Sequence, residues 1–136
     1  MIRIFTILVL SSTIAFTLAE KSYFELCAHD YYNRDRPNEC KLKNYQFDPK
    51  IPSFDRFIDC VFMGYRWVPF SSPNKVQTDK MLSDLKANGM ENESDAKKVV
   101  AACEKKNGEK IGSLNYFMCM YENPKTKDGI MKWLKA

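Results

Sequence analysis

The sequence predicts a compact all-α domain of six to eight short helices braced by disulfides. Three observations support this fold class. Apolar residues recur at helical spacing along the chain, period-two alternation is hard to find, and five cysteines follow an apolar leader. The 136 residues are enough for one domain and too few for two ordinary ones. We therefore assign residues 20–136 to one helical domain.

Residues 1–19 have the pattern of a secretory signal peptide. Arg3 supplies a positive start, residues 4–18 are mostly apolar and uncharged, and Thr17 and Ala19 place small residues around a cleavage site. A membrane anchor is the alternative, but the apolar run is shorter than the ~20 residues that span a bilayer. We expect cleavage after Ala19, secretion to the extracellular space and no membrane partner.

Apolar side chains fall at offsets 0, 3, 4 and 7 in four segments, which places them on one helical face. Two further segments show shorter matches. The four full matches are Phe24, Cys27, Ala28 and Tyr31; Phe54, Phe57, Ile58 and Val61; Ala96, Val99, Val100 and Cys103; and Leu114, Phe117, Met118 and Tyr121. The shorter ones are Met81, Leu82 and Leu85, and Ile130, Trp133 and Leu134.

Turn and capping residues separate these segments, as expected for short helices joined by tight loops. Thr78 is a candidate cap for the fourth helix, and Thr126 or Asp128 a candidate start for the last. The predicted helix ends are Asn88-Gly89, Asn107-Gly108 and Asn123-Pro124, and Pro52 lies near the start of the third segment.

All five cysteines lie in the predicted mature chain, where an oxidising compartment favours disulfides: Cys27, Cys40, Cys60, Cys103 and Cys119. Five thiols allow two bridges at most and leave one over. A bridge between Cys103 and Cys119 would stabilise the fold by about 3 kcal/mol on the chain-entropy model. The alternative is that these cysteines are plain buried thiols. The single histidine, His29, and the lack of Cys-x-x-Cys argue against a zinc site, and we expect no metal and no cofactor.

The composition excludes several classes of function. There is no Gly-x-Ser-x-Gly, and His29 beside Asp30 lacks an evident nucleophile, so we do not expect an enzyme. The net charge of +4, with lysines interleaved among acids, does not match a nucleic-acid partner. Asn92-Glu93-Ser94 matches the N-glycosylation acceptor pattern. The many aromatic residues fit a cavity for an apolar ligand as well as a core.

Several runs resemble the carboxy-terminal domain of the "D-seven" salivary proteins of blood-feeding flies, a branch of the insect odorant-binding protein superfamily. The matching runs are residues 21–27 (KSYFELC), 30–32 (DYY), 40–45 (CKLKNY), 59–64 (DCVFMG) and 116–119 (YFMC). The resemblance implies an all-helical domain around a central pocket, with bridges Cys27–Cys60 and Cys103–Cys119. It also implies that Cys40 is unpaired, shielded or intermolecular, because the family partner of this cysteine, near residue 136, is missing from the sequence.

The same resemblance implies a ligand site formed by six residues: Lys43, Phe57, Tyr116, Phe117, Trp133 and Leu134. Members of the family sequester host amines or eicosanoids. In the members that bind amines, a run in the last helix begins with Phe and Asp, and this Asp is one of the acids that pair with the ammonium group. Trp133 and Leu134 occupy these two places here, so that acidic partner is missing. We expect a monomeric salivary protein that sequesters small host mediators, with an apolar or anionic ligand preferred. The alternatives are a surface-mediated inhibitor of a plasma clotting factor in contact-phase coagulation, and an odorant or pheromone carrier.

Overall fold

Seven α-helices form the regular structure of the residues that the computed structural model describes, which are 22–69, 71, 75–108 and 112–136. No strand occurs in these ranges, and the all-α prediction is confirmed. The predicted signal peptide, residues 1–19, lies outside the described residues. The helices are α1 Tyr23–Tyr32, α2 Arg36–Lys43, α3 Phe54–Gly64, α4 Thr78–Ala87, α5 Glu93–Asn107, α6 Ser113–Glu122 and α7 Pro124–Lys135.

Two predicted helix starts are wrong by a few residues. Gln77, not Thr78, is the N-cap of α4, and Thr78 is its first helical residue. Helix α7 begins at Pro124, so Thr126 and Asp128 lie inside it. Asn123 accepts from the backbone N–H of Lys125 at 3.0 Å, and proline is preorganised for the first helical position. The hydroxyl of Thr126 is buried and instead donates to the carbonyl of Met120 at 2.6 Å.

The predicted stripes on α3 and α5 are buried, but those on α1 and α6 need correction. On α1, Tyr31 is 42% exposed and Tyr32 is buried in its place. The ring of Tyr32 packs on Phe57, and its hydroxyl donates to the carbonyl of Pro52 at 2.7 Å, which turns this ring inward at the helix end. Helix α6 packs against α3, α5 and α7, and this brings a shifted face into the core: Ser113, Tyr116, Phe117 and Met120.

Two disulfides fasten the helices to one another. Cys27–Cys60 joins α1 to α3, and Cys103–Cys119 joins α5 to α6, with Cα atoms 6.0 and 6.2 Å apart. These are the pairs that the family resemblance implies, while Cys40 is a free, exposed thiol on α2. No helix within the described ranges has the length and apolar character needed to cross a bilayer.

Candidate functional site

A cleft of about 680 Å³ opens where the start of α1, the ends of α3 and α4 and the end of α7 meet. Its volume falls in the range of small-molecule sites in proteins, which is roughly 300–1,000 Å³. The residues that line it come from distant parts of the chain: Ser22, Tyr23, Leu26, Tyr65, Asn88, Trp133 and Ala136. The described lining residues include no charged side chain.

Three aromatic rings form the wall of this cleft. The Tyr65 ring lies centrally, with its centroid 5.1 Å from that of Tyr23 and 5.0 Å from that of Trp133. Both pairs are edge-to-face, a favourable arrangement for aromatic rings. Gly64 permits this wall, because a Cβ atom there would lie only 2.6 Å from Cγ of Tyr23. A larger residue at position 64 would push Tyr23 out of place.

The apolar surface of the cleft is only partly covered by the protein itself. Tyr23 is 47% exposed and Leu26 is 43% exposed. Together with Tyr31 they are the large hydrophobic residues that the described part of the chain leaves exposed. Two of these three line the cleft, and the free energy of burying them is available to a ligand.

Two of the aromatic residues of the cleft wall carry neutral donors. Burial, together with the nearby Tyr23 and Asp84, raises the pKa of Tyr65 above its usual value, so its hydroxyl keeps its proton. The Trp133 side chain is 2% exposed, and its buried indole N–H has no hydrogen-bond partner among the described residues. A buried donor without an acceptor carries a desolvation cost of about 1–3 kcal/mol, which a suitable acceptor would offset.

Of the six predicted ligand residues, the structure brings Trp133 alone to this cleft. Phe57 and Phe117 are buried in a second aromatic cluster, where their rings pack against Phe24 and Phe47 with centroids 5.4 and 5.1 Å apart. Leu134 is also buried in the core. The two aromatic clusters therefore have different roles: the second fills the interior, whereas the first borders solvent.

Tyr116, another predicted ligand residue, is held by a polar contact outside the cleft. Its hydroxyl donates to Oε1 of Glu104 at 2.9 Å, which joins α6 to α5. Burial and the neighbouring Glu104 raise the pKa of Tyr116 well above its usual value, because both oppose a phenolate there. This tyrosine is therefore a neutral donor that is already satisfied within the protein.

Lys43, the predicted cation of the ligand site, is paired within the protein. Its Nζ lies 2.8 Å from Oε1 of Glu39, whose side chain is 3% exposed. Arg36 and His29 also lie within 3.5 Å of this carboxylate. The hydrogen bond and charge of Lys43 lower the pKa of Glu39 despite its desolvation. The lysine thus holds a carboxylate and is not among the residues that line the cleft.

Three residues of the cleft were not predicted from the sequence: Tyr23, Leu26 and Tyr65. Tyr23 and Leu26 lie on α1, outside its buried apolar stripe of Phe24, Cys27 and Ala28. Apolar residues outside a buried stripe indicate an exposed apolar surface, and this signal could have identified both of them. Tyr65 offered no such signal, because it follows α3 in an irregular segment.

Two further questions about the predicted sites concern a metal ion and the state of Asn92. The described ranges contain no group of three or more side chains that would hold a metal ion. Asn92 is exposed at the N-cap of α5 and makes no capping hydrogen bond with its side chain.

Comparison with known proteins supports a role in ligand binding for this chain. A family model described as "PBP/GOBP family" matches residues 13–123. The chain is also 29% identical over 106 residues to the "Short form salivary protein D7S1" of Aedes aegypti, an alignment that covers 78% of this chain and 71% of that protein. The resemblance noted from the cysteine and aromatic runs is confirmed by these two matches.

Proposed function

Since this chain belongs to the PBP/GOBP family, whose members bind ligands and are not enzymes, we propose that it is a secreted protein that sequesters a small host mediator in the cleft. The salivary name of the Aedes aegypti relative and the apolar leader of this chain support secretion into saliva. The observation that carries the proposal is the partly exposed aromatic wall of Tyr23, Tyr65 and Trp133.

The lining favours an apolar ligand that has a hydrogen-bond acceptor. The Tyr65 hydroxyl is a donor at the cleft, and a carboxylate, ketone or hydroxyl of an eicosanoid supplies the matching acceptor. The buried Trp133 N–H becomes a second donor if the ligand displaces the groups that cover it. An ammonium group offers donors only and would meet no acidic side chain among the described lining residues. Contact between an ammonium and an aromatic face supplies about 0.5–2 kcal/mol, which is less than the free energy that removing the ammonium from water costs.

Lys43 contributes no positive charge to this selection, because its Nζ pairs with Glu39 and the residue does not line the cleft. The preference therefore rests on apolar area and neutral donors, and it does not require an anionic ligand. A neutral lipid with an acceptor should bind as well as an acidic one of equal apolar surface. Host mediators of the eicosanoid class meet these requirements, whereas serotonin and histamine also carry an ammonium group that no acidic side chain of the described lining would pair with.

Titration calorimetry of the secreted protein with a leukotriene, serotonin and histamine tests the proposal. We expect saturable binding of the leukotriene and weak or no binding of either amine. Micromolar binding of serotonin would overturn the ligand preference. Failure of all three to bind would count against sequestration of this class of mediator.

The role of the Trp133 N–H is tested separately by the nitrogen-15 NMR spectrum. The chain has two tryptophans, and the variant Trp67→Phe assigns the two indole signals. Adding the leukotriene should shift the indole signal of Trp133 downfield, as expected when a free N–H gains an acceptor. If calorimetry shows binding but this signal does not move, the donor role of Trp133 is wrong while the cleft remains a binding site.

A further inference from the structure

We propose that Asn92 carries an N-linked glycan. Asn92-Glu93-Ser94 matches the acceptor pattern Asn-x-Ser/Thr, and no other asparagine in the sequence does so. The motif is short and recurs by chance, so the proposal depends on where the fold places it. It requires passage through the secretory pathway and is independent of which ligand the cleft binds.

The fold leaves this motif on the surface. Asn92 is the N-cap of α5, and both Asn92 and Ser94 are exposed. The preceding Met90 is buried, and Glu93 is held by Lys86 at 2.8 Å. The motif is therefore presented at a fixed, solvent-facing turn between α4 and α5, where a glycan would extend into water.

The side-chain amide of Asn92 is not used by the fold, in contrast to the amides of three asparagines at helix C-termini. Asn44, Asn88 and Asn107 each donate their side-chain amide to the backbone carbonyl four residues earlier, at 2.8–2.9 Å. The amide of Asn92 makes no hydrogen bond with the described residues, and only its backbone carbonyl is used, as acceptor for the N–H of Ala96 at 2.9 Å. A glycan on Nδ2 would therefore break no hydrogen bond of the fold.

The transfer needs a lipid-linked oligosaccharide diphosphate as donor. The bond between the anomeric carbon of the sugar and the diphosphate oxygen breaks, and a bond from that carbon to Nδ2 of Asn92 forms. Nδ2 loses one proton, the lipid diphosphate leaves, and no atom is oxidised or reduced. Glu93 and Ser94 lie in the first turn of α5, where backbone N–H groups lack partners within the helix, so few intrahelical hydrogen bonds hold the motif.

Intact-mass spectrometry of the full chain, expressed and secreted from insect cells, tests this inference. We expect a mass above that of the polypeptide, which collapses after treatment with an amidase that releases N-glycans and leaves aspartate at position 92. Secreted protein that has only the polypeptide mass would overturn the proposal.

Three variants separate glycosylation from effects on folding. Asn92→Gln and Ser94→Ala should both abolish the added mass, whereas Ser94→Thr should retain it. Because the Asn92 side chain makes no capping bond, all three should melt close to the deglycosylated wild type. Added mass that persists in Ser94→Ala would place the modification elsewhere. The calorimetric result for the cleft is independent, so failure of one proposal does not imply failure of the other.

Discussion

Trp67 and Trp133 pack their indole rings with centroids 4.6 Å apart, yet among the described residues the N–H of Trp67 has a hydrogen-bond partner and that of Trp133 has none. The Trp67 N–H donates to Oδ2 of Asp84 at 2.7 Å, which fixes this ring against α4. Trp133 lies beside it at the cleft with its donor unused. Two residues of the same type that pack on each other thus differ in hydrogen bonding: Trp67 is bonded to Asp84, whereas the buried N–H of Trp133 has no partner among the described residues.

The Trp67–Asp84 bond should be important for stability. Asp84→Ala leaves a buried N–H unpaired, and we expect a loss of about 1–3 kcal/mol in the free energy of unfolding, measured by urea denaturation. Lys80→Ala is the matched control, because it removes the ion pair of Asp84 at 3.0 Å but leaves the indole bond intact. That exposed pair should contribute less than about 1 kcal/mol. Equal losses in the two variants would contradict the role of the indole bond.

Tyr23 should contribute to ligand affinity through the cleft wall. Tyr23→Ser removes a ring that packs edge-to-face on Tyr65, and we expect affinity for the leukotriene to fall by roughly tenfold in calorimetry. Tyr31→Ser is the control, since Tyr31 lies on the same helix with 42% exposure, against 47% for Tyr23, but does not line the cleft. Unchanged affinity in the Tyr23 variant, or an equal loss in both, would show that the ligand binds elsewhere.

The Cys103–Cys119 bridge should stabilise the fold by lowering the conformational entropy of the unfolded chain. The bridge spans a sequence separation of 16 residues, and its removal by a double substitution to serine should cost about 3 kcal/mol. Chemical denaturation under matched conditions provides the measurement. Cys40→Ser should leave stability unchanged, because this thiol is free and exposed. A melting temperature insensitive to reduction would rule out a stabilising role for the bridges.

Alkaline pH should lower the free energy of unfolding of this protein, because three tyrosines ionise more readily in the unfolded chain than in the fold. Burial raises the pKa of Tyr32 from 10.0 to about 12, so the folded state favours the neutral hydroxyl. The resulting stability is fully present below pH 10 and is lost as the pH rises from about 10 to about 12. The raised pKa values of Tyr116 and Tyr65 act in the same direction.

The variant Tyr32→Phe tests this alkaline effect. It should lose about 0.5–1.5 kcal/mol at neutral pH, because the hydrogen bond to the carbonyl of Pro52 is removed. Above pH 10 its stability should fall less steeply than that of the wild type, as followed by circular dichroism. Tyr31→Phe, at an exposed position, should match the wild type at neutral pH and keep most of its alkaline slope, because Tyr31 is the smallest of the causes that raise the pKa of Tyr32. A slope unchanged by Tyr32→Phe would contradict the assignment.

How much could be predicted from the sequence differs between the fold and the cleft. The stripes of α3 and α5 were predicted correctly, because amphipathic spacing alone identifies which face of a helix is apolar. Near the end of α1 the same spacing favoured Tyr31, and packing on Phe57 selected Tyr32 instead. The site was harder to predict: the resemblance pointed to Trp133, but Lys43 is paired with Glu39 and Phe57 is buried in the core.

The sequence by itself determined that the chain forms short amphipathic helices and has the cysteines to link them, because periodicity and thiol count are properties of the chain alone. Only the tertiary structure decided that Tyr23, Tyr65 and Trp133 meet. These residues are far apart in the chain, and their approach depends on the angles at which helices cross and on the space that Gly64 leaves for a ring. Periodicity identifies the apolar face of a helix but does not specify which helix packs against it or which apolar residues remain exposed.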